Sequence, residues 1–222
     1  PNMATMLVFI TSDVAITPAL LQKALSADVK NTFNMISIDG DTSTNDMVTV
    51  LCNGMAENPE ITEENGDYAI FMKALNSVAV HLCRMIAADG EGATKLLECK
   101  VTGAKNEEIA KTVAKSVVCS SLTKAAMFGA DANWGRVLCA IGYSKANVDV
   151  SKIDVAFTSA AGTVAVCKNG AGITFSEELA KTILTECEIT IDINLNSGSY
   201  SSTAWGCDLT YDYVKINGDY RT

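Results

Sequence analysis

The chain has 222 residues, 48% of them apolar, 19% charged and 6% aromatic, with a formal net charge of −9 at pH 7. That acidic balance excludes a phosphate-gripping nucleic-acid surface and an attraction to anionic lipid, while the apolar content suffices for one large or two small domains without disulfide staples. No uninterrupted apolar run approaches the ~20 residues of a membrane-spanning helix, and no basic-then-apolar leader opens the sequence.

The scarce residues exclude more. The single histidine, His81, would have to serve any His-based metal site or Ser-His-Asp triad. The eight cysteines contain no C-x-x-C pair, so a zinc finger is ruled out by spacing and buried thiols are expected instead. Pro1 stands where an initiator methionine would, and is expected to follow a processing boundary.

Elements alternate along the chain. Met6 to Ile10 predicts a strand, and Thr17-Pro18 opens a helix with Leu20, Leu21, Ala24, Leu25 and Val29 at helical spacing. Met35 to Ile38 predicts a short strand running into Asp39-Gly40-Asp41, and Met47 to Cys52 a further strand ending at Asn53-Gly54. A long helix is predicted from Asp67 to Ala88, its inner stripe made of Ile70, Phe71, Ala74, Val78, Leu82 and Met85. Lys95 to Val101 reads as a strand. Asn106-Glu107-Glu108 caps a helix predicted to run unbroken to Phe128, where Gly129 stops it, and Trp134 to Ile141 predicts another.

The last third reads as mostly β, with strands at Lys152 to Phe157, Thr163 to Cys167, Glu188 to Leu195 and Thr203 to Ile216. One helix, from Ser176 to Cys187, interrupts it. The pattern predicts an α/β (α+β) fold of mixed sheets layered against helices, divided into a larger α/β part over 5–145 and a β-rich part over 146–222.

Five polar segments could carry chemistry. Asp39 and Asp41 leave a strand at i and i+2, the pattern of an aspartyl-phosphate phosphatase, but no matching lysine and acidic pair follow, so a polar turn is the better reading. Gly90-Glu91-Gly92 sets a carboxylate between two glycines, where a substrate ammonium could approach closely; a solvated loop explains it equally well. Asp131-Ala132-Asn133-Trp134-Gly135-Arg136 reads as a cap with an anchoring tryptophan. The polar, aromatic tail could fray or could close a site.

The fifth segment is Pro1-Asn2-Met3-Ala4-Thr5-Met6-Leu7. A threonine after alanine and before a strand suits an N-terminal nucleophile: its hydroxyl attacks the preceding carbonyl, the ester hydrolyses, and Thr5 becomes the new terminus. The freed α-amine, with an ordinary pKa of about 7.7–8.0, then serves as the base that histidine would otherwise supply.

Together, Pro1-Asn2-Met3-Ala4-Thr5-Met6-Leu7, Asp41-Thr42-Ser43-Thr44-Asn45-Asp46, Asn133-Trp134-Gly135-Arg136 and the tail from Cys207-Asp208-Leu209 through Asn217-Gly218-Asp219-Tyr220-Arg221-Thr222 resemble the ornithine acetyltransferase family, also called glutamate N-acetyltransferases. The resemblance runs from the first residue to the last. It implies a cytoplasmic enzyme of arginine biosynthesis with an N-terminal-nucleophile, amidohydrolase-like architecture, whose precursor cuts itself between Ala4 and Thr5. Residues 1–4 would be the end of an α chain and 5–222 the β chain of an α₂β₂ heterotetramer.

The resemblance further implies that Thr5 takes the acetyl group from N-acetylornithine, releasing ornithine, and passes it to glutamate. Some members also accept acetyl-CoA as donor. Glu91, Asn217 and Thr222 match the family's substrate-binding residues, alongside Thr5 itself. The family's oxyanion-hole pair and a substrate-binding lysine belong to the upstream chain. No metal or organic cofactor is indicated, and no nucleic acid or membrane partner. Two other readings share the catalytic plan or its remnant: an N-terminal-nucleophile aminopeptidase or amidase, and an uncleaved inactive relative.

Overall fold

The computed structural model describes residues 6–219. By its internal contacts the chain divides into two compact units, one of Pro1–Asn34 with Asp41–Cys83, the other of Met35–Gly40 with Arg84–Thr222. This partition differs from a cut near residue 145, because strands before and after that point share one sheet in the second unit.

In the first unit, β1 (Leu7–Ser12) and β3 (Met47–Cys52) pair in parallel, with Leu7 opposite Met47 and Ser12 opposite Cys52. Alternation along β1 buries Val8 and Ile10 and turns Leu7 and Phe9 outward. The helix α1 (Pro18–Asp28) starts with Pro18 in the first turn, where its missing N–H costs nothing; Thr17 is the N-cap but its hydroxyl makes no capping bond.

The helix α2 (Gly66–Ala88) begins in this unit and ends in the other. Its buried residues are Tyr68, Leu75, Ala79, Cys83 and Ala87. The expected inner stripe is therefore wrong in four members: Ile70, Ala74, Val78 and Met85 are exposed, because the apolar residues run round the helix and periodicity alone could not choose a face. By length and composition α2 is long and apolar enough to cross a bilayer, although Lys73, His81 and Arg84 interrupt it.

The second unit is built on a seven-stranded mixed sheet of order β2-β9-β4-β8-β5-β6-β7. The strands are β2 (Ile36–Ser37), β4 (Leu96–Ala104), β5 (Asp154–Ser159), β6 (Gly162–Lys168), β7 (Ala171–Gly172), β8 (Glu188–Asn194) and β9 (Tyr200–Cys207). Alternation sends Leu97, Cys99 and Val101 of β4, Ile189, Ile191 and Ile193 of β8, and Val155 and Phe157 of β5 into the core. The helices α3 (Glu107–Cys119) and α6 (Glu177–Thr185) pack on the sheet, burying Val113 and Val117 from α3 and Ile183 and Leu184 from α6.

Two expectations fail here for local reasons. The helix expected to run unbroken from Asn106 to Phe128 is two, α3 and α4 (Ser121–Phe128). Ser120 adopts extended backbone between them and accepts a hydrogen bond from Thr123 N–H (3.3 Å), so it ends one helix by capping the next. The strand expected from Thr203 to Ile216 stops at Cys207, and a helix, α7 (Tyr211–Asp219), follows. The helix α5 (Trp134–Tyr143) is capped by Asn133, which accepts from Arg136 N–H (3.2 Å), and Trp134 lies against the bare backbone of Gly172. All eight cysteines are free, but Cys139 and Cys187 are exposed rather than buried.

Candidate functional site

The Glu91 turn is shaped by its glycines. After α2 ends, Ala93 N–H donates to Gly90 O (2.9 Å), and Gly92 at the third turn position has φ +65°, the sign a type II turn requires there. A Cβ on Gly90 would sit 2.8 Å from Cys207 Sγ, and one on Gly92 would sit 2.6 Å from Tyr213 N. Only glycine lets the turn press this closely onto the strand end and onto α7.

Thr210 ties the turn to the helix. Its hydroxyl accepts from Tyr213 N–H (3.2 Å), capping α7, and donates to Gly92 O (2.6 Å). One turn further along α7, Asn217 Nδ2 donates to Glu91 Oε2 (2.7 Å) and to Tyr213 O (3.1 Å). Tyr213 Oη donates to Asp39 Oδ2 (3.1 Å), anchoring the helix on the segment after β2. The structure thus brings Glu91 and Asn217 together, and adds Asp39, Thr210 and Tyr213, which the sequence reading did not assign to a site.

The floor beside this turn holds buried ionic groups. Asp208 accepts from Thr94 N–H (2.8 Å), Lys95 N–H (3.0 Å) and the Thr94 hydroxyl (2.5 Å). Lys95 Nζ donates to Met127 O (2.7 Å) and Leu184 O (2.5 Å), placing a cation on the carbonyl ends of α4 and α6. Burial pushes the Lys95 ammonium pKa down from its ordinary value, with the charge of Asp208 opposing the shift. Lys124 Nζ donates to Ile38 O and lies 3.5 Å from Cys207 Sγ. Burial pushes the Cys207 thiol up, and Lys124 draws it the other way.

In the first unit, Ala4 and Thr5 lie outside the described residues, as does Thr222 of the tail. The residue after Thr5 is fixed: Met6 N–H donates to Asp46 Oδ1 (2.8 Å), and Met47 N–H donates to Met6 O (3.2 Å). Asp46 Oδ2 is buried and has no hydrogen-bond partner among the described residues. The Asp41 to Asp46 segment signalled this only through its family resemblance; nothing in its spacing singled out Asp46.

The remaining candidates take structural places. His81 is exposed on α2, and among the described residues no group of three or more His, Cys, Asp and Glu side chains is set to hold a metal ion. Asp39 is engaged by Tyr213, and Ser43 Oγ accepts from Asn45 N–H (3.0 Å), as a polar turn would have it.

The family model for the ArgJ family matches residues 1–222. This chain belongs to the ArgJ family. It is 57% identical over 222 residues to the arginine biosynthesis bifunctional protein ArgJ 1 of Clostridium acetobutylicum, covering 100% of this chain and 54% of that protein. It is 54% identical to the ArgJ bifunctional protein of Caldanaerobacter subterraneus, covering 55% of that protein. The chain therefore spans about half the length of the ArgJ relatives it matches. A crystal structure titled arginine biosynthesis bifunctional protein argJ, from Bacillus halodurans, aligns with TM-score 0.92 and 51% identity over 97% of this chain and 100% of that one. The α/β class is that of the ArgJ structure.

Proposed function

We propose that this ArgJ chain is the β half of an acetyltransferase that moves the acetyl group of N-acetylornithine to glutamate through Thr5. Family membership supports the pathway, since the relatives carry arginine biosynthesis and bifunctionality in their names. The observation that carries the substrate reading is the Glu91–Asn217 pair: a carboxylate and a carboxamide, 2.7 Å apart on a glycine-flanked turn, suit the ammonium and carboxylate ends of an amino acid. Thr222 is assigned to the same binding group from the family motif.

Self-cleavage between Ala4 and Thr5 frees the Thr5 α-amine. That amine takes the hydroxyl proton as Oγ attacks the acetyl carbonyl; the Oγ–C bond forms, the amide C–N bond breaks, and the proton passes to the departing ornithine nitrogen. Glutamate then attacks the acetyl ester in the reverse sense, closing a ping-pong cycle. Acetyl-CoA would enter as an alternative donor to the same threonine, with no metal or organic cofactor required.

The partner in this reading is the other half of the relatives' length, as an α chain that supplies the oxyanion hole and a lysine, within an α₂β₂ assembly. In this reading the enzyme is cytoplasmic, as the family resemblance implies. The test is Thr5→Ala in the full-length protein. We expect an uncut precursor on a denaturing gel and no ornithine release above the uncatalysed rate. A normally cleaved Thr5→Ala protein, or one that still transfers acetyl, would sink the reading.

A further inference from the structure

We propose that Thr210 is a positioning residue for substrate binding: its hydroxyl sets the spacing of Glu91 and Asn217 by holding the Glu91 turn and the start of α7 together. This deepens the proposed function and rests on Glu91 and Asn217 being the substrate-binding pair. A hydroxyl offers one donor and two acceptor lone pairs. Thr210 uses the donor on Gly92 O (2.6 Å) and a lone pair on Tyr213 N–H (3.2 Å). Asn217 Nδ2 donates to Tyr213 O (3.1 Å) and to Glu91 Oε2 (2.7 Å), and a peptide bond joins Glu91 to Gly92. The hydrogen bonds therefore close a ring. It crosses from turn to helix through the Thr210 hydroxyl on one side and the Asn217 carboxamide on the other.

Burial decides which of the two links governs. The Glu91–Asn217 bond is exposed, where water competes for both groups and the net gain is small. Thr210 is 6% exposed, so its bonds meet little such competition. It also stands on a fixed base. Asp208, two residues earlier, accepts from Thr94 N–H (2.8 Å) and Lys95 N–H (3.0 Å), and its own N–H donates to Lys95 O (3.3 Å). Residues 92–95 and 208–210 are thereby bonded side by side. No residue of α7 is buried, so the helix has no packed face of its own to fix how far it stands from the turn. Asn217 lies one helical turn beyond Tyr213, and a shift at the start of so short a helix carries Asn217 with it.

The experiment is Thr210→Val in the full-length enzyme, which keeps the shape of the side chain and removes the hydroxyl, beside Thr210→Ser, which restores it. The KM values for N-acetylornithine and glutamate should rise at least about tenfold in Thr210→Val, with kcat within about twofold of wild type. Binding lost equally from ground state and transition state raises KM alone. Cutting at Ala4–Thr5 should stay complete on a denaturing gel. Thr210→Ser should bring both KM values back to within about threefold of wild type. An unchanged KM in Thr210→Val overturns the proposal. So does a fall in kcat at unchanged KM, or a Thr210→Ser that behaves like Thr210→Val, since a merely structural side chain does that.

Asn217→Ala run in parallel separates the two failures. A wild-type KM in Asn217→Ala defeats the substrate-binding pair; a raised KM there beside a wild-type Thr210→Val defeats only the role of Thr210. In the double variant the two effects should not multiply, because Thr210 acts through the pair that Asn217→Ala has already broken. KM ratios that multiply overturn the proposal. Should Thr210→Val not fold, Thr210→Ala carries the same cycle with a smaller side chain to place.

Discussion

Glu98 shows how one side chain in the second unit is kept charged. It sits on β4 at 8% exposure, where burial alone would push its carboxyl pKa up. Hydrogen bonds from Lys100 (2.8 Å) and Trp205 Nε1 (2.9 Å), with the charges of Lys100 and Arg84, outweigh that penalty and hold it below the ordinary carboxylate value. Trp205 can donate because antiparallel pairing puts it directly opposite Glu98. A carboxyl whose pKa is depressed by folding contributes stability above its unfolded pKa and loses it as pH falls through the folded value. Glu98→Gln should therefore cost about 2 kcal/mol at pH 7, and the gap to wild type should narrow steadily below about pH 4.5. Urea denaturation of both proteins at pH 7 and pH 3.5 checks this, and a gap that does not change with pH refutes it.

At the scale of elements, α7 differs from the other helices. None of its residues is buried, so side-chain bonds rather than a packed apolar face fix its place. Those bonds are the Thr210 cap shared with Gly92, the Asn217–Glu91 contact and the Tyr213–Asp39 contact; Tyr211 adds an edge-to-face contact with Phe128, ring centroids 5.5 Å apart. Tyr213→Phe keeps the ring and removes only the hydroxyl. We expect backbone amides of α7 to exchange with solvent about fivefold faster in that variant, with the rest of the second unit unchanged. Hydrogen exchange read by mass spectrometry on a peptide covering the helix decides it; unaltered protection would show that the other contacts suffice.

The same helix shows where sequence reading stopped. Tyr211, Tyr213, Val214 and Ile216 suggest a strand, whereas Thr210 caps a helix by accepting from Tyr213 N–H while its hydroxyl donates to a turn more than a hundred residues earlier. In α2 the length was legible but the buried face was not, because apolar residues lie on every side of it. Ser120 hid a helix break for a related reason: a serine reads equally as interior or cap until its hydroxyl is seen on Thr123. By contrast β3 and β8 were legible almost to the residue: β3 is a short apolar run between Asn45-Asp46 and Asn53-Gly54, and β8 alternates Ile189, Ile191 and Ile193 with polar residues up to Asn194. At the site, Glu91 was legible from its flanking glycines and, like Asn217, from the family resemblance, whereas Asp46, Thr210 and Tyr213 needed the long-range hydrogen bonds.

For the whole molecule, the first unit presents a surface that a protein does not ordinarily leave in water. β1 and β3 form a two-stranded parallel sheet, and parallel sheets are normally covered on both faces. Here Leu7 is 66% exposed, Phe9 62% and Leu51 57%. The missing half of the relatives' length is the occupant our reading assigns to this face, because it is the one partner already required to complete the catalytic machinery. Two consequences can be separated. Residues 5–222 produced alone should self-associate in sedimentation runs, and Phe9→Lys should reduce that association by removing the one aromatic ring among Leu7, Phe9 and Leu51 on this face. When both halves are co-expressed with one of them tagged, wild-type chains should co-purify, while Phe9→Lys should weaken assembly by at least about tenfold, since a lysine would have to be desolvated at the covered face. Undiminished assembly of Phe9→Lys would show that this face stays open in the complete enzyme, and the α chain would then have to dock elsewhere.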